Sequence, residues 1–235
     1  MAIAISPVGT SYLRPCYGHA SDLDGALPRI LNKPAAAETK TTDGNHTWRL
    51  VATVLLPFAA GYYLSYLFRT INALISGTLI SEFGLSAADL GILTAVLFLT
   101  FGLIQLPLGV WLDRFGPRRV QAVLLSLAAI GATIFACAPN LLWLILGRAL
   151  IGLGVAGALM GGLKAIVLWW PAARIALANG WLITLGALGA VTATAPAEML
   201  IALIGWRGLF LLLAALAAIA AVLIGGAAIG GGRGT

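Results

Sequence analysis

The sequence predicts an all-α membrane protein of six transmembrane helices, and three observations carry that reading. Of its 235 residues, 60% are hydrophobic and 9% charged, with a mean hydropathy of +1.00. A soluble domain carries about 25% charged residues. The apolar residues gather into six runs, each able to cross a hydrocarbon core of about 30 Å. The charges are segregated: residues 1–50 hold nine and the next 175 hold twelve. So apolar a chain is not disordered in bulk, and its 29 glycines follow no G-X-Y period, which excludes collagen. The formal charge of +6 is assigned to membrane orientation, because basic residues of membrane proteins collect on the cytoplasmic side. The partner it implies is a lipid bilayer and not a nucleic acid.

The elements follow in chain order. Residues 1–48 carry Pro7, Pro15, Pro28 and Pro34 among scattered Gly, Ser, Thr and Asp without a sustained period. They are read as a disordered cytoplasmic tail. Met1–Ser6 is too short for the core of a signal peptide, so the first hydrophobic helix is expected to act as the insertion signal. His19 and His46 stand alone in the tail and are read as solvated.

The membrane body is placed at 50–226. Its first run spans Leu50 to Ile80 and is broken at Ser81–Ala88. The second spans Asp89 to Leu112, before the charged turn Asp113–Arg119. The third spans Val120 to Ala138 and turns at Pro139-Asn140. The fourth spans Leu141 to Trp170 and turns at Pro171–Arg174. The fifth spans Ile175 to Pro196, followed by a partly apolar loop at Glu198–Arg207. The sixth spans Gly208 to Gly225. The long first and fourth runs must tilt, bend or protrude. Continuous apolar stretches of this length fit helices, since barrel strands alternate over about ten residues. Residues 227–235 form a glycine-rich end, which looks like an interrupted reading frame or a linker. Cys16 and Cys137 fall on opposite sides of the expected membrane, so no disulfide is expected.

Lys and Arg set the orientation. Arg114, Arg118 and Arg119 follow the second run, Arg174 follows the fourth, and the tail with Arg49 beside it holds five more basic residues. The opposite loops hold Glu82, Asp89 and Glu198, with Arg207 at a span edge. Both termini are therefore expected in the cytoplasm, in a bacterial-type inner membrane.

Three cations fall inside the runs. A cation at mid-bilayer costs about 2.5–3.5 kcal/mol on insertion scales, so it usually faces a cavity or a partner. Arg69 lies mid-run, and helical spacing puts Tyr62, Ser65, Asn72 and Ser76 on its face. That polar stripe reads as a cavity wall, and a guanidinium there can take an anion through two parallel hydrogen bonds. Lys164 either joins the cavity or snorkels toward the cytoplasm, the second being favoured. It is kept with the stripe among the substrate-binding candidates. Arg148 is the third.

Gly109-Val-Trp-Leu-Asp113-Arg114-Phe-Gly116-Pro-Arg118-Arg119 stands between the second and third runs. It resembles the cytoplasmic loop signature of the major facilitator superfamily, G-x-x-x-D-R-x-G-x-R-R, at every defined position. Physically, Gly109 is read as letting two helices approach. Asp113 is read as accepting backbone N–H groups and pairing with an arginine, and Gly116 as making the turn. Arg148-Ala-Leu-Ile-Gly152-Leu-Gly154 is similar to the superfamily's fourth-helix pattern, where the arginine serves packing or coupling. Gly205-Trp206-Arg207 also matches. Gly152-Leu-Gly154-Val-Ala-Gly157 fits G-x-G-x-x-G, but it lies in an apolar helix without a preceding strand. Its glycines are read as packing residues and not as a nucleotide loop.

The resemblance covers residues 50–225 and implies one six-helix bundle, a 3+3 inverted repeat, from a twelve-helix transporter. Tyr63 to Arg69, followed by Asn72-Ala73-Leu74, resembles the first helix of the organophosphate:phosphate antiporters and anion:cation symporters. In those families an arginine here contacts the anion. Lys164 to Trp170 resembles their stretch after helix four. Gln105 and Leu185 stand where the glycerol-3-phosphate type has lysine and histidine, which favours a carboxylate or small inorganic anion over a phosphate ester. The resemblance implies a secondary transporter of a small anionic substrate, without cofactor or metal. It also implies a second bundle, missing here or supplied by a partner. The alternative is a non-transporting fragment or sensor-like half-protein. A membrane enzyme is disfavoured, since the sequence shows no metal cluster, catalytic triad or phosphate loop.

Overall fold

A computed structural model describes Trp48 and residues 50–230, with side chains through Gly226. The expectations for the tail and for the last residues of the glycine-rich end lie outside the described residues.

Among the described residues six helical segments are long and apolar enough to span a membrane, as the apolar runs predict. A π-helical turn at Val51–Leu55 leads into α1 (Leu56–Phe83), and together they make the first span. The second is α2 (Ala87–Phe115) and the third is α3 (Pro117–Ala136). The fourth is divided into α4 (Leu141–Val155) and α5 (Ala158–Trp169). A 3₁₀ turn at Ala172–Arg174 precedes α6 (Ile175–Thr192), and α7 (Ala195–Gly230) completes the bundle.

The ends are set by local chemistry. Ser86 and Asp89 form a reciprocal capping box at the start of α2, with Ser86 N–H donating to Asp89 Oδ2 at 2.8 Å. This satisfies donors that a helix start leaves orphaned. Asn140 Oδ1 accepts from Trp143 N–H at 3.3 Å and caps α4. Gly116 turns the chain between α2 and α3 at φ +79°, a backbone region that side chains disfavour.

The sixth span differs from its expectation. Residues 198–207 are expected to form a loop, yet Ala195–Ile204 is helical and the chain turns only at Gly205, φ +71°, a non-helical residue at which two helices of α7 meet. Met199–Ile204 is apolar enough to stay helical, and glycine alone absorbs the turn.

The third span packs along the fourth and sixth, the first against the fifth and sixth, and the second against the fourth. These pairings map onto one another when the first span is exchanged with the fourth, the second with the fifth and the third with the sixth. That is the symmetry a 3+3 repeat requires. The second and fifth spans are the least covered.

Small residues allow the approach. A Cβ on Gly131 would fall 2.8 Å from Ile151 N, and one on Gly147 would fall 2.9 Å from Gly131 O. The third and fourth spans thus touch backbone to backbone. Gly154 meets Leu124 and Ala128 of the third span, and Gly152 meets Leu97 and Thr100 of the second. Without a hydrophobic drive between helices in lipid, such contacts carry much of the association. The packing reading of the G-x-G-x-x-G stretch fits this geometry.

Candidate functional site

Arg69 lies near the centre of the first span. Its Nε donates to Ser65 O, one turn back, at 3.1 Å. Its guanidinium carbon sits 4.6 Å from the Tyr66 ring centre and 5.2 Å from that of Phe101 on the second span. Both are within cation–π range. Its two terminal nitrogens donate to no protein acceptor among the described residues, and no carboxylate there is paired with it. The residue is half-buried. One edge of the fork is tied down, the rings flank it, and the Nη edge stays available for two parallel bonds to an anion. Tyr62 O–H donates to Tyr66 Oη at 3.3 Å, which leaves the Tyr66 hydroxyl proton unspent.

The expected stripe is divided by the structure. Ser76 is half-buried and donates to Ala73 O at 2.8 Å. Ser65 and Asn72 are buried and turned toward the fourth span, where they bond Val155 O and Arg148. Tyr62 is buried, with its ring over Gly186 of the fifth span. Residues three or four apart on a helix differ by tens of degrees in direction, and in a close-packed bundle that turns them toward different neighbours. Tyr66 and Phe101 were missed. Tyr66 carries a sequence signal, being three residues before Arg69, whereas nothing in the sequence pairs Phe101 with it.

Arg148 is the largest fully buried side chain, at 0% exposure. It donates to Phe68 O at 3.2 Å and to Asn72 Oδ1, and its guanidinium carbon lies 4.6 Å from the Phe135 ring and 5.5 Å from that of Phe210. It joins the first, third, fourth and sixth spans through neutral acceptors and aromatic faces. Among the described residues no carboxylate pairs with it.

Lys164 is held apart from Arg69. Near the opposite end of the fourth span it forms an ion pair with Asp113. The pair borders a cleft of about 460 Å³ between the second and fourth spans, lined by Gln105, Leu108, Gly109, Leu112, Met160 and Leu163. Two expectations for the loop motif are corrected here. Asp113 pairs with this lysine and not with an arginine, because Lys164 reaches the loop from one turn before the end of its helix. Gly109 is exposed, and a Cβ built on it would meet nothing within 4 Å. It makes no close helix contact within this bundle. Arg118 lies over the Trp169 ring at 4.4 Å, Arg114 lies 5.5 Å from Phe115, and Arg119 is exposed. At the other end, Glu82 accepts from Trp206 Nε1 at 2.8 Å and pairs with Arg207, tying the first span to the sixth. Among the described residues no cluster of three metal-ligating side chains occurs.

Six spans, a charged turn on a positive-φ glycine and a fourth span seated on glycines agree with one family, whose profile, the Major Facilitator Superfamily, matches residues 58–228. The chain belongs to the major facilitator superfamily. Among superfamily relatives it is 29% identical to the "Probable sulfoacetate transporter SauU" of Cupriavidus necator, over 66% of this chain and 36% of that protein. It is 30% identical to the "Probable L-galactonate transporter" of Escherichia coli, over 68% of this chain and 35% of that protein. A solved superfamily structure, a bacterial homolog of the human lysosomal transporter Spinster in an inward-facing unoccupied conformation, superposes with a TM-score of 0.65. That match is at 23% identity and covers 72% of this chain and 41% of that one. The chain spans about a third of the length of these curated relatives. It is an integral membrane protein of a transporter family whose members include carriers of anions.

Proposed function

We propose that this chain is the first six-helix bundle of a secondary transporter for a small organic anion, and that Arg69 is its anion contact. The carrying observation is the Nη edge of Arg69, unpaired among the described residues, half-buried at mid-span and flanked by Tyr66 and Phe101. A guanidinium so placed is costly in a bilayer unless a cavity and an anion face it. The named substrates of the relatives, sulfoacetate and galactonate, are anions of this kind.

The second bundle supplies the other wall, and the two rock about the midplane site in alternating access. The arginine-bearing loops lie on the cytoplasmic face of an inner membrane, with both termini on that side. Lys164, held in its ion pair with Asp113, ties the second span to the fourth on that face. Tyr66, with an unspent hydroxyl proton, is a second donor to the bound anion. Ser65 and Asn72 support Arg69 and Arg148 from behind.

The test is uptake of labelled sulfoacetate, galactonate, nitrate and acetate by cells expressing the full-length protein and its Arg69→Ala variant. Uptake of at least one anion, lost in the variant at equal membrane abundance, is expected. Unchanged uptake in the variant removes Arg69 from the site.

A further inference from the structure

The fourth span is interrupted at its centre. α4 stops at Val155 and α5 starts at Ala158, and Ala156 N–H turns back to Leu153 O at 3.4 Å. A helix end leaves carbonyls without amide partners, and inside a bilayer these must find other donors. They find them on two neighbouring spans. Ser65 Oγ donates to Val155 O at 3.1 Å, and Gln105 Nε2 donates to Ala156 O at 3.2 Å. No proline enforces the break; Gly157, Gly161 and Gly162 follow it. On its other side Gln121, at 0% exposure, has neither amide atom bonded among the described residues. Its Oε1 lies 3.2 Å from where a side chain on Gly157 would begin. A buried polar group left without a partner in one arrangement favours another that satisfies it.

Ser65 is where this break meets the arginine. Its hydroxyl holds Val155 O, and its own carbonyl accepts from Arg69 Nε. At 1% exposure it is out of reach of a solute. We infer that Ser65 is a positioning residue that couples Arg69 to a hinge at Ala156–Gly157 in the fourth span. In the second position of the hinge, Ser65 and Gln105 hand the two carbonyls to backbone amides of the turn that follows, and Gln121 bonds the backbone beside Gly157. An anion that draws the guanidinium outward loads Ser65 O, and through it the Ser65–Val155 bond. Single neutral hydrogen bonds contribute little net free energy, so this one can open and close in every transport cycle. The inference rests on the reading of Arg69 as the anion contact.

Hydrogen exchange on the purified full-length protein, without any added anion, tests the hinge apart from the anion reading. Ser65→Ala is expected to speed exchange across residues 153–162 about fivefold, the size of one buried hydrogen bond. Ser65→Thr is expected to restore it, and residues 141–150 to stay unchanged. Arg69→Ala is expected to raise the same signal less, and to add nothing in the double variant. Equal exchange in wild type and Ser65→Ala, or additive effects of the two variants, overturns the coupling. For the anion identified by the uptake panel, Ser65→Ala is expected to lower turnover about fivefold with KM within about twofold. A raised KM at unchanged turnover would make Ser65 a binding residue and overturn the assignment.

Discussion

Arg148 and Asn72 meet side chain to side chain in the interior, the guanidinium donating to the amide oxygen, while Asn72 Nδ2 donates to Thr94 Oγ1 at 2.8 Å. An asparagine with both ends committed thus links three spans, and among the described residues the cation's one other hydrogen-bond acceptor is Phe68 O. Removing a neutral hydrogen-bond partner from a buried charged group costs about 1.5–3 kcal/mol. Asn72→Leu is therefore expected to lower the melting temperature of the purified protein sharply. Asn72→Asp, which keeps an acceptor and adds a counter-charge, is expected to stay close to wild type. Thermal unfolding in detergent decides between them, and equal loss in both would remove the acceptor role.

Tyr66 supports the Arg69 guanidinium with its ring face. Such a contact contributes about 0.5–1 kcal/mol when partly exposed. Tyr66→Leu should then raise KM for the transported anion about two- to fivefold, with membrane abundance unchanged. Tyr66→Phe, which keeps the ring and loses only the second donor, should raise KM less than Tyr66→Leu does, and an equal rise in the two would remove the ring's contribution.

The Asp113–Lys164 pair is partly exposed, its side chains 79% and 26% accessible. Exposed pairs are worth at most about 1 kcal/mol, so Lys164→Ala should hardly change the melting temperature. Its effect is expected in uptake instead. The exchanged pair, Asp113→Lys with Lys164→Asp, should recover uptake lost by each single change. Failure of the exchanged pair, with both singles impaired, would mean that Lys164 acts on the substrate directly.

Gly154 and Gly180 make a matched comparison. A Cβ on Gly154 collides with Ala128 and Leu124, while one on Gly180 meets nothing within 4 Å. Overpacking costs about 1–3 kcal/mol, whereas a helical Gly→Ala change in open space gains up to about 1 kcal/mol. Gly154→Ala should lower the melting temperature, and Gly180→Ala should leave it equal or higher.

Much of this architecture was legible in the sequence because bilayer insertion demands long apolar runs, and those runs have visible ends. Ser86-x-x-Asp89, Asn140 and Gly116 mark boundaries by local chemistry that needs no tertiary contact. Arg69 stood out because a cation is rare at that depth. What was not legible depends on neighbours. Helical spacing placed Asn72 with Arg69, yet the fully buried Arg148 claims it from another span. The break after Val155 carries no proline and is held by Ser65 and Gln105, residues 90 and 51 positions away. The stretch around Pro196 and Glu198 resembled a loop because polar residues flank it, while the real discontinuity waits at Gly205.

The shielding of Arg148 also sets an order of assembly. Its acceptors come from the first span, one aromatic face from the third, and the other from Phe210 in the sixth. When the fourth helix leaves the translocon, the chain that will cover this cation is still being made. The charge is fully enclosed only after the sixth helix has emerged. A chain that ended before Phe210 would leave this guanidinium with one aromatic face uncovered.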